Sequence, residues 1–191
     1  MIRSKIINIF KNTGALLDGH FVLTSGRHSS SYFQCAKVLQ HPKYLTLFAE
    51  LIAKHFEKEK IDLVISPAIG GVVLGTEVGR ILNARTIFAE RKDGDMCIRR
   101  GFKIDKGENI LIVEDVITTG GSVREVMDQV IKHKGLISGV GVMVDRSNGL
   151  VVLHPNQFSI IALEANSFSP DKVPESLSAI PVQQPGSRKI V

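Results

Sequence analysis

Glu114 and Asp115 stand side by side between an apolar run, Ile110–Val113, and a Thr/Gly-rich turn, Thr118-Thr119-Gly120-Gly121-Ser122. Two adjacent carboxylates accept hydrogen bonds from sugar hydroxyls or help hold a divalent cation. The turn after them has the opposite chemistry. Its small residues aim several backbone N–H groups at one point. The apolar positions Val123, Val126, Met127, Val130 and Ile131, spaced for one helix face, add the positive end of a helix dipole. Such a cradle suits a phosphate dianion, which the carboxylates would repel. Acid pair and cradle together describe a phosphorylated ribose, with hydroxyls on Glu114 and Asp115 and phosphate on the stretch from Val116 and Ile117 to Ser122. No Gly-Lys-Ser/Thr follows, which excludes a Walker A loop, and the spacing is not the dinucleotide GxGxxG. A second turn, Ser66-Pro67-Ala68-Ile69-Gly70-Gly71, follows a strand pattern and opens a helix pattern. Read alone, its glycines serve tight backbone angles as well as they serve a ligand.

The elements that must position these turns are legible around them. Ile2, Ile6, Ile9 and Phe10 fit an amphipathic N-terminal helix, and a polar Gly/Ser-rich stretch, Asp18–Tyr32, follows it. Pro42–Lys58 is helical by pattern, with Tyr44, Leu45, Phe48, Leu51, Ile52 and Phe56 on one face. Ile61–Ser66, Arg85–Glu90, Ile110–Val113, Ser138–Asp145 and Phe158–Ala165 read as strands, and Val72–Leu82 as a helix. Strands alternating with helices at this spacing predict an α/β fold with a doubly wound, mostly parallel sheet. Ligands on such sheets bind at the carboxyl ends of the strands, where both Gly-rich turns fall.

The 191 residues are most simply a single domain spanning 1–191, long enough for a substantial core, and 43% apolar content fits a globular chain. No stretch approaches the roughly 20 apolar residues of a membrane span. The N-terminus lacks the apolar run and cleavage site of a signal peptide. Two cysteines, Cys35 and Cys97, make neither a disulfide framework nor a metal site, so a cytoplasmic protein with reduced thiols is expected. The net charge of +5 alone decides nothing between nucleic acid and a small polyanion. Its densest cluster, Arg91, Lys92, Arg99, Arg100 and Lys103, lies in one loop-and-hairpin segment rather than a basic stripe. Neither a nucleic-acid nor a membrane partner is expected.

The thirteen residues Ile110–Ser122 resemble the ribose-phosphate signature of the type I phosphoribosyltransferases: four apolar residues, two acids and a Thr/Gly-rich loop. Beside that signature, the turn of Ala68, Ile69, Gly70 and Gly71 resembles the family's pyrophosphate loop. The orotate-using branch often has lysine where Gly70 stands. Ala89–Phe102 resembles the mobile loop that closes over the active site in that branch, often from the neighbouring subunit, with Arg91 and Lys92 matching its opening. Many relatives then carry a catalytic lysine where this chain has Asp95, so Arg99 or Arg100 is expected to share the neutralisation of the departing diphosphate.

Gly19–Phe33 is similar to the element that encloses the pyrimidine in orotate enzymes, which implies a base-binding role for Tyr32 and Phe33. Thr24 stands where some relatives have a substrate-contacting lysine. In that branch an arginine at the position of Arg146 pairs with the orotate carboxylate, and Thr118 aligns with a second orotate contact. Ile180–Arg188 matches the family's usual ending. The resemblance therefore implies transfer of a phosphoribosyl group from 5-phosphoribosyl 1-diphosphate (PRPP) to orotate. It further implies Mg²⁺ held mainly by PRPP, near Asp115, a hood of about residues 1–40 plus the C-terminal tail over the base site, and a homodimer with shared active sites. A purine phosphoribosyltransferase would share Glu114–Ser122 without needing Arg146 or Gly19–Phe33. A PRPP-binding regulator would keep the fold without the lysines absent at Gly70, Thr24 and Asp95.

Overall fold

The computed structural model describes residues 2–23, 26–163 and 167–183. The chain opens with α1 (Ile2–Asn12), β1 (Leu16–Val22), β2 (His28–Phe33) and α2 (Ala36–Leu39). It continues through α3 (Pro42–His55), β3 (Leu63–Pro67), α4 (Gly70–Leu82), β4 (Arg85–Lys92), β5 (Asp95–Ile98), β6 (Asn109–Ile117), α5 (Gly121–Lys132), β7 (Leu136–Asp145) and β8 (Gln157–Ala162). β9 (Ser167–Phe168), a 3₁₀ turn, α6 (Glu175–Ser178) and β10 (Val182–Gln183) follow. These elements form two compact units, one of Leu39–Leu163 and one of Met1–Val38 with Glu164–Val191.

The larger unit is a six-stranded sheet in the order β5-β4-β3-β6-β7-β8, parallel except for β5. Its middle strands are near-continuous apolar runs because both faces are covered. On one face α5 lays Val123, Val126 and Val130 against Leu63, Ile65, Ile87, Ile110 and Ile112. Ile131, expected on the same stripe, is 61% exposed, since it lies at the edge of that face in the helix's last turn. On the other face α4 comes close to the sheet through Gly71, Gly75 and Gly79, one glycine per turn. A Cβ at Gly75 would strike the Ser66 hydroxyl, and one at Gly79 the Thr86 methyl. Ile52 and Phe56, in and just after α3, fill the space left by Gly141 and Gly139 on β7.

Three segments differ from the sequence reading. β6 runs on through Glu114 and Asp115 to Ile117, so the acid pair lies within the strand, which stays hydrogen-bonded to β7 through Ile117↔Asp145. The polar stretch Asp18–Tyr32 contains most of a β-hairpin. β1 pairs antiparallel with β2, Leu16 opposite Phe33 and Leu17 opposite Tyr32. A register irregularity between Asp18 and Phe21 breaks the alternation that would have shown it. Arg91 and Lys92 belong to β4, and β5 turns back on them through Asp93-Gly94, both at positive φ, the backbone that a two-residue hairpin requires. No described helix is long and apolar enough to cross a membrane.

Glu77 ties α4 to α3. Its carboxylate accepts the Thr46 hydroxyl at 2.8 Å and two Arg80 N–H groups at 2.9 Å. Those Arg80 bonds, then the Thr46 bond, hold its pKa down at about 2. A carboxylate depressed on folding adds stability above its unfolded value that is lost as pH falls through the folded one. Glu77→Gln should therefore cost on the order of 1 kcal/mol at neutral pH, since Arg80 is well exposed and screened. The gap in urea midpoint between wild type and variant should narrow from about pH 6 to about pH 3.

Candidate active site

The loop after β6 and the N-terminus of α5 bound a cavity of about 260 Å³ lined by Glu114, Val116–Val123 and Arg91. Gly120 precedes α5 at φ 74°, and a Cβ there would lie 2.9 Å from both Val151 and Leu153. Glycine is thus required for backbone and for space alike. Arg124 braces the same turn by donating from Nη1 to the Thr119 carbonyl at 2.8 Å.

The acid pair forms the inner wall. Glu114 Oε1 accepts the Asp115 N–H at 3.0 Å, and Asp115 Oδ1 accepts the Val116 N–H at 2.9 Å. Burial first, and the Asp115 charge second, push the Glu114 carboxyl well above its ordinary value. The loop after β3 lies directly against this pair. A Cβ on Gly70 would stand 2.5 Å from Asp115 Oδ2, and one on Gly71 2.9 Å from Glu114 Oε1. A side chain at Gly70 would therefore displace the Asp115 carboxylate. Earlier in that loop the Ala68 N–H donates to the Ala89 carbonyl at 2.7 Å, the Ala68–Ile69 peptide is cis, and Ile69 is 84% exposed. The Ser66 hydroxyl beneath it is buried without a hydrogen-bond partner among the described residues.

The four basic candidates separate. Of them, only Arg91 lines the cavity at the N-terminus of α5. Its Nη2 lies 2.7 Å from Glu125 Oε2 on α5, and Nη1 donates to the Gly94 carbonyl at 2.8 Å. Lys92, opposite Asp95 in the hairpin, is exposed. Arg100 donates to Glu90 at 2.9 Å, Arg99 lies 3.5 Å from the same carboxylate, and Arg100 also sits over the Phe88 ring. The Arg100 guanidinium beside Glu90 holds that carboxyl below its ordinary value.

Arg146 follows β7, and its N–H donates to the Ile117 carbonyl at 2.8 Å, which places Thr118 and Arg146 on neighbouring strand ends. The buried Asp145 shapes the turn after it, accepting from the Ser147 N–H, the Ser147 hydroxyl and the Gly149 N–H. Sequence reasoning missed the partner carboxylates Glu90, Glu125 and Asp145, because a lone acid in a strand or helix carries no signal until its partner is seen. In the smaller unit, the Tyr32 ring lies tilted 5.6 Å from Phe21 and Phe33 meets Phe10 edge-on at 4.8 Å. Thr24, Ala165 and Gln184–Arg188 lie outside the described residues.

Among the described residues no three side chains of ligating type cluster around one point. Two adjacent carboxylates, one of them holding its proton unusually tightly, nonetheless fit a divalent cation that takes most of its oxygens from a substrate, and such a cation would relieve their repulsion.

The phosphoribosyl transferase domain family matches residues 34–168. Orotate phosphoribosyltransferase of Chlorobaculum parvum is 58% identical over 98% of this chain and 97% of its own. The chain belongs to the orotate phosphoribosyltransferases. The enzyme of that name from Pelotomaculum thermopropionicum is 53% identical over the whole of both chains. The crystal structure of orotate phosphoribosyltransferase from Aeropyrum pernix shares the fold, with a TM-score of 0.70 at 23% identity over 82% of this chain and 92% of that one.

The raised Glu114 has a consequence for stability. The folded protein retains a proton that the unfolded chain releases, so this group's contribution falls as pH rises above 4.5, the ordinary value. Glu114→Gln keeps the acceptor for the Asp115 N–H and removes the buried charge. It should raise Tm at pH 8 by about 2–4 °C, with the gain vanishing toward acid pH, while turnover falls; calorimetry across pH reads the first and an activity assay the second.

Proposed function

We propose that the protein transfers the 5-phosphoribosyl group of PRPP to orotate, giving orotidine 5′-monophosphate and diphosphate in pyrimidine biosynthesis. The observation that carries this reading is the joint placement of acid pair, backbone phosphate cradle and second glycine loop at the carboxyl ends of β3 and β6, in a chain 58% identical to an orotate phosphoribosyltransferase.

The ribose hydroxyls bind at Glu114 and Asp115, and the 5′-phosphate at Val116, Ile117, Thr118, Thr119, Gly120, Gly121 and Ser122. The diphosphate binds along Ala68, Ile69, Gly70 and Gly71, whose backbone approaches the ligand with no lysine to help. Orotate is held by Thr118 and Arg146, its carboxylate suiting a bidentate guanidinium, together with Tyr32 and Phe33. The bond from C1 of the ribose to the diphosphate oxygen loosens, its electron pair leaves with the diphosphate, and the orotate nitrogen bonds to C1 as its N–H proton passes to the departing diphosphate or to water. No protein nucleophile is needed: positioning and charge neutralisation supply the catalysis. Mg²⁺, held mainly by PRPP with Asp115 beside it, neutralises charge on the diphosphate when bound.

Arg91, Lys92, Arg99 and Arg100 are the cations that act on PRPP. Arg99 and Arg100 reach the diphosphate by exchanging Glu90 for phosphate oxygens, a role that relatives give to the lysine replaced here by Asp95. The protein acts in the cytoplasm, where Cys35 and Cys97 stay reduced, as a homodimer whose sites are completed by the partner chain. Neither nucleic acid nor membrane takes part.

Loss of orotate absorbance should require PRPP and Mg²⁺ and should not occur with adenine, hypoxanthine or uracil as the base. PRPP binding without turnover would favour the regulator reading, and turnover of a purine instead would overturn the choice of base. Arg100→Ala retains a Cβ at φ 58°, so the backbone cost is unchanged. It should lower kcat by on the order of 10²–10³ with Tm preserved, as expected for a lost charge stabiliser. Unaltered kinetics would remove Arg100 from the mechanism.

A further inference from the structure

The reaction as derived so far places Arg91 on PRPP without saying which end it meets, and it gives its ion-pair partner Glu125 no part. Arg91 is the next-to-last residue of β4, on the side that faces α5, two residues beyond the buried Ala89, and its register partner Met96 is buried in the same core. From there Arg91 lines the cavity built by Val116–Val123 and, together with Glu125, a neighbouring cavity beside Gly94 and Asp128. The diphosphate-loop residues Ala68–Gly71 are not among the residues lining the first cavity. Glu125 Oε2 is shielded from solvent, and its close partner among the described residues is Arg91 Nη2 at 2.7 Å. Nη1 is turned in the opposite sense by the Gly94 carbonyl at 2.8 Å. One guanidinium N–H is thereby engaged by the Gly94 carbonyl, Nη2 is held beside Glu125 as an ion pair without a hydrogen bond, and the remaining donors of the five are available to a ligand.

We propose that Glu125 is a positioning residue that holds Arg91 over the phosphate loop of the same chain, where Arg91 binds the 5′-phosphate of the phosphoribosyl substrate rather than its diphosphate. The proposal rests on the phosphoribosyl reading and narrows the role of Arg91 within it. A long arginine side chain loses rotamer freedom when it grips an anion. Glu125 and Gly94 remove that freedom before the ligand arrives, so more of the interaction appears as affinity. Glu125 contributes no favourable charge to a phosphate, so its value is geometric.

Ribose 5-phosphate and inorganic diphosphate separate the two ends of PRPP. Their affinities are measured by calorimetry on wild type, Arg91→Ala, Glu125→Ala, Glu125→Gln and the double Arg91→Ala/Glu125→Ala variant, with melting curves to confirm folding. Arg91→Ala should weaken ribose 5-phosphate by about 10- to 100-fold, the range for a charged hydrogen bond, with diphosphate affinity unchanged within about twofold. Glu125→Ala should follow it, Glu125→Gln should do the same because it removes the charge that pairs with Arg91, and the double variant should be no worse than Arg91→Ala.

Weakened diphosphate with intact ribose 5-phosphate would move Arg91 to the other end of the substrate and overturn the proposal. Tighter ribose 5-phosphate binding in Glu125→Ala would show Glu125 to be a mere competing charge. Wild-type protein that binds neither ligand would overturn the phosphoribosyl reading itself. Wild type that binds both, with Arg91→Ala indistinguishable from it, would overturn this assignment alone.

Discussion

The close approach of α4 to the acid pair on β6 is the constraint on which the site depends. Gly70 and Gly71 bring backbone to within less than 3 Å, measured from where a Cβ would stand, of the Asp115 and Glu114 carboxylates. Farther along the helix, Gly75 and Gly79 keep the same face against Ser66 and Thr86. One stripe of missing side chains thus sets how closely the loop after β3 approaches the acids. Burial is what raises Glu114, since a carboxyl buried beside another carboxylate resists ionisation until a cation or hydroxyls arrive. A side chain at Gly70 would require the Asp115 carboxylate to move.

Charge in the basic segment is organised by pairing. Glu90 gathers Arg99 and Arg100 on one side of β4, and Glu125 holds Arg91 on the other. Successive residues of a strand face opposite ways, so neighbouring Glu90 and Arg91 are directed to different partners. Exposed ion pairs of this kind contribute little to stability. Their effect is to fix where long side chains wait. An arginine already placed is better suited to an incoming anion than one free in solvent.

The parallel sheet, its order of helices and the Thr/Gly turn before α5 were legible in the sequence because each rests on a local regularity: apolar runs, a 3.6-residue stripe, a run of small residues. The hairpin of β1 and β2 was not, since a register irregularity hides its alternation and serines occupy β2. The extension of β6 through Glu114 and Asp115 was missed for a related reason. Two acids read as the end of a strand, yet pairing with β7 carries the ladder on to Ile117.

What the sequence by itself determined is the chemistry at each turn: which residues are acids, which backbone is free of side chains, and which strand ends carry them. These follow from residue type and spacing, properties of a few consecutive positions. Only the tertiary structure decided which turn touches which: Gly70 against Asp115, Val151 and Leu153 over Gly120, and Arg91 with Glu125 rather than with Arg99 and Arg100. Those contacts join positions far apart in the chain, and they are set by strand order and helix packing, which no local pattern encodes.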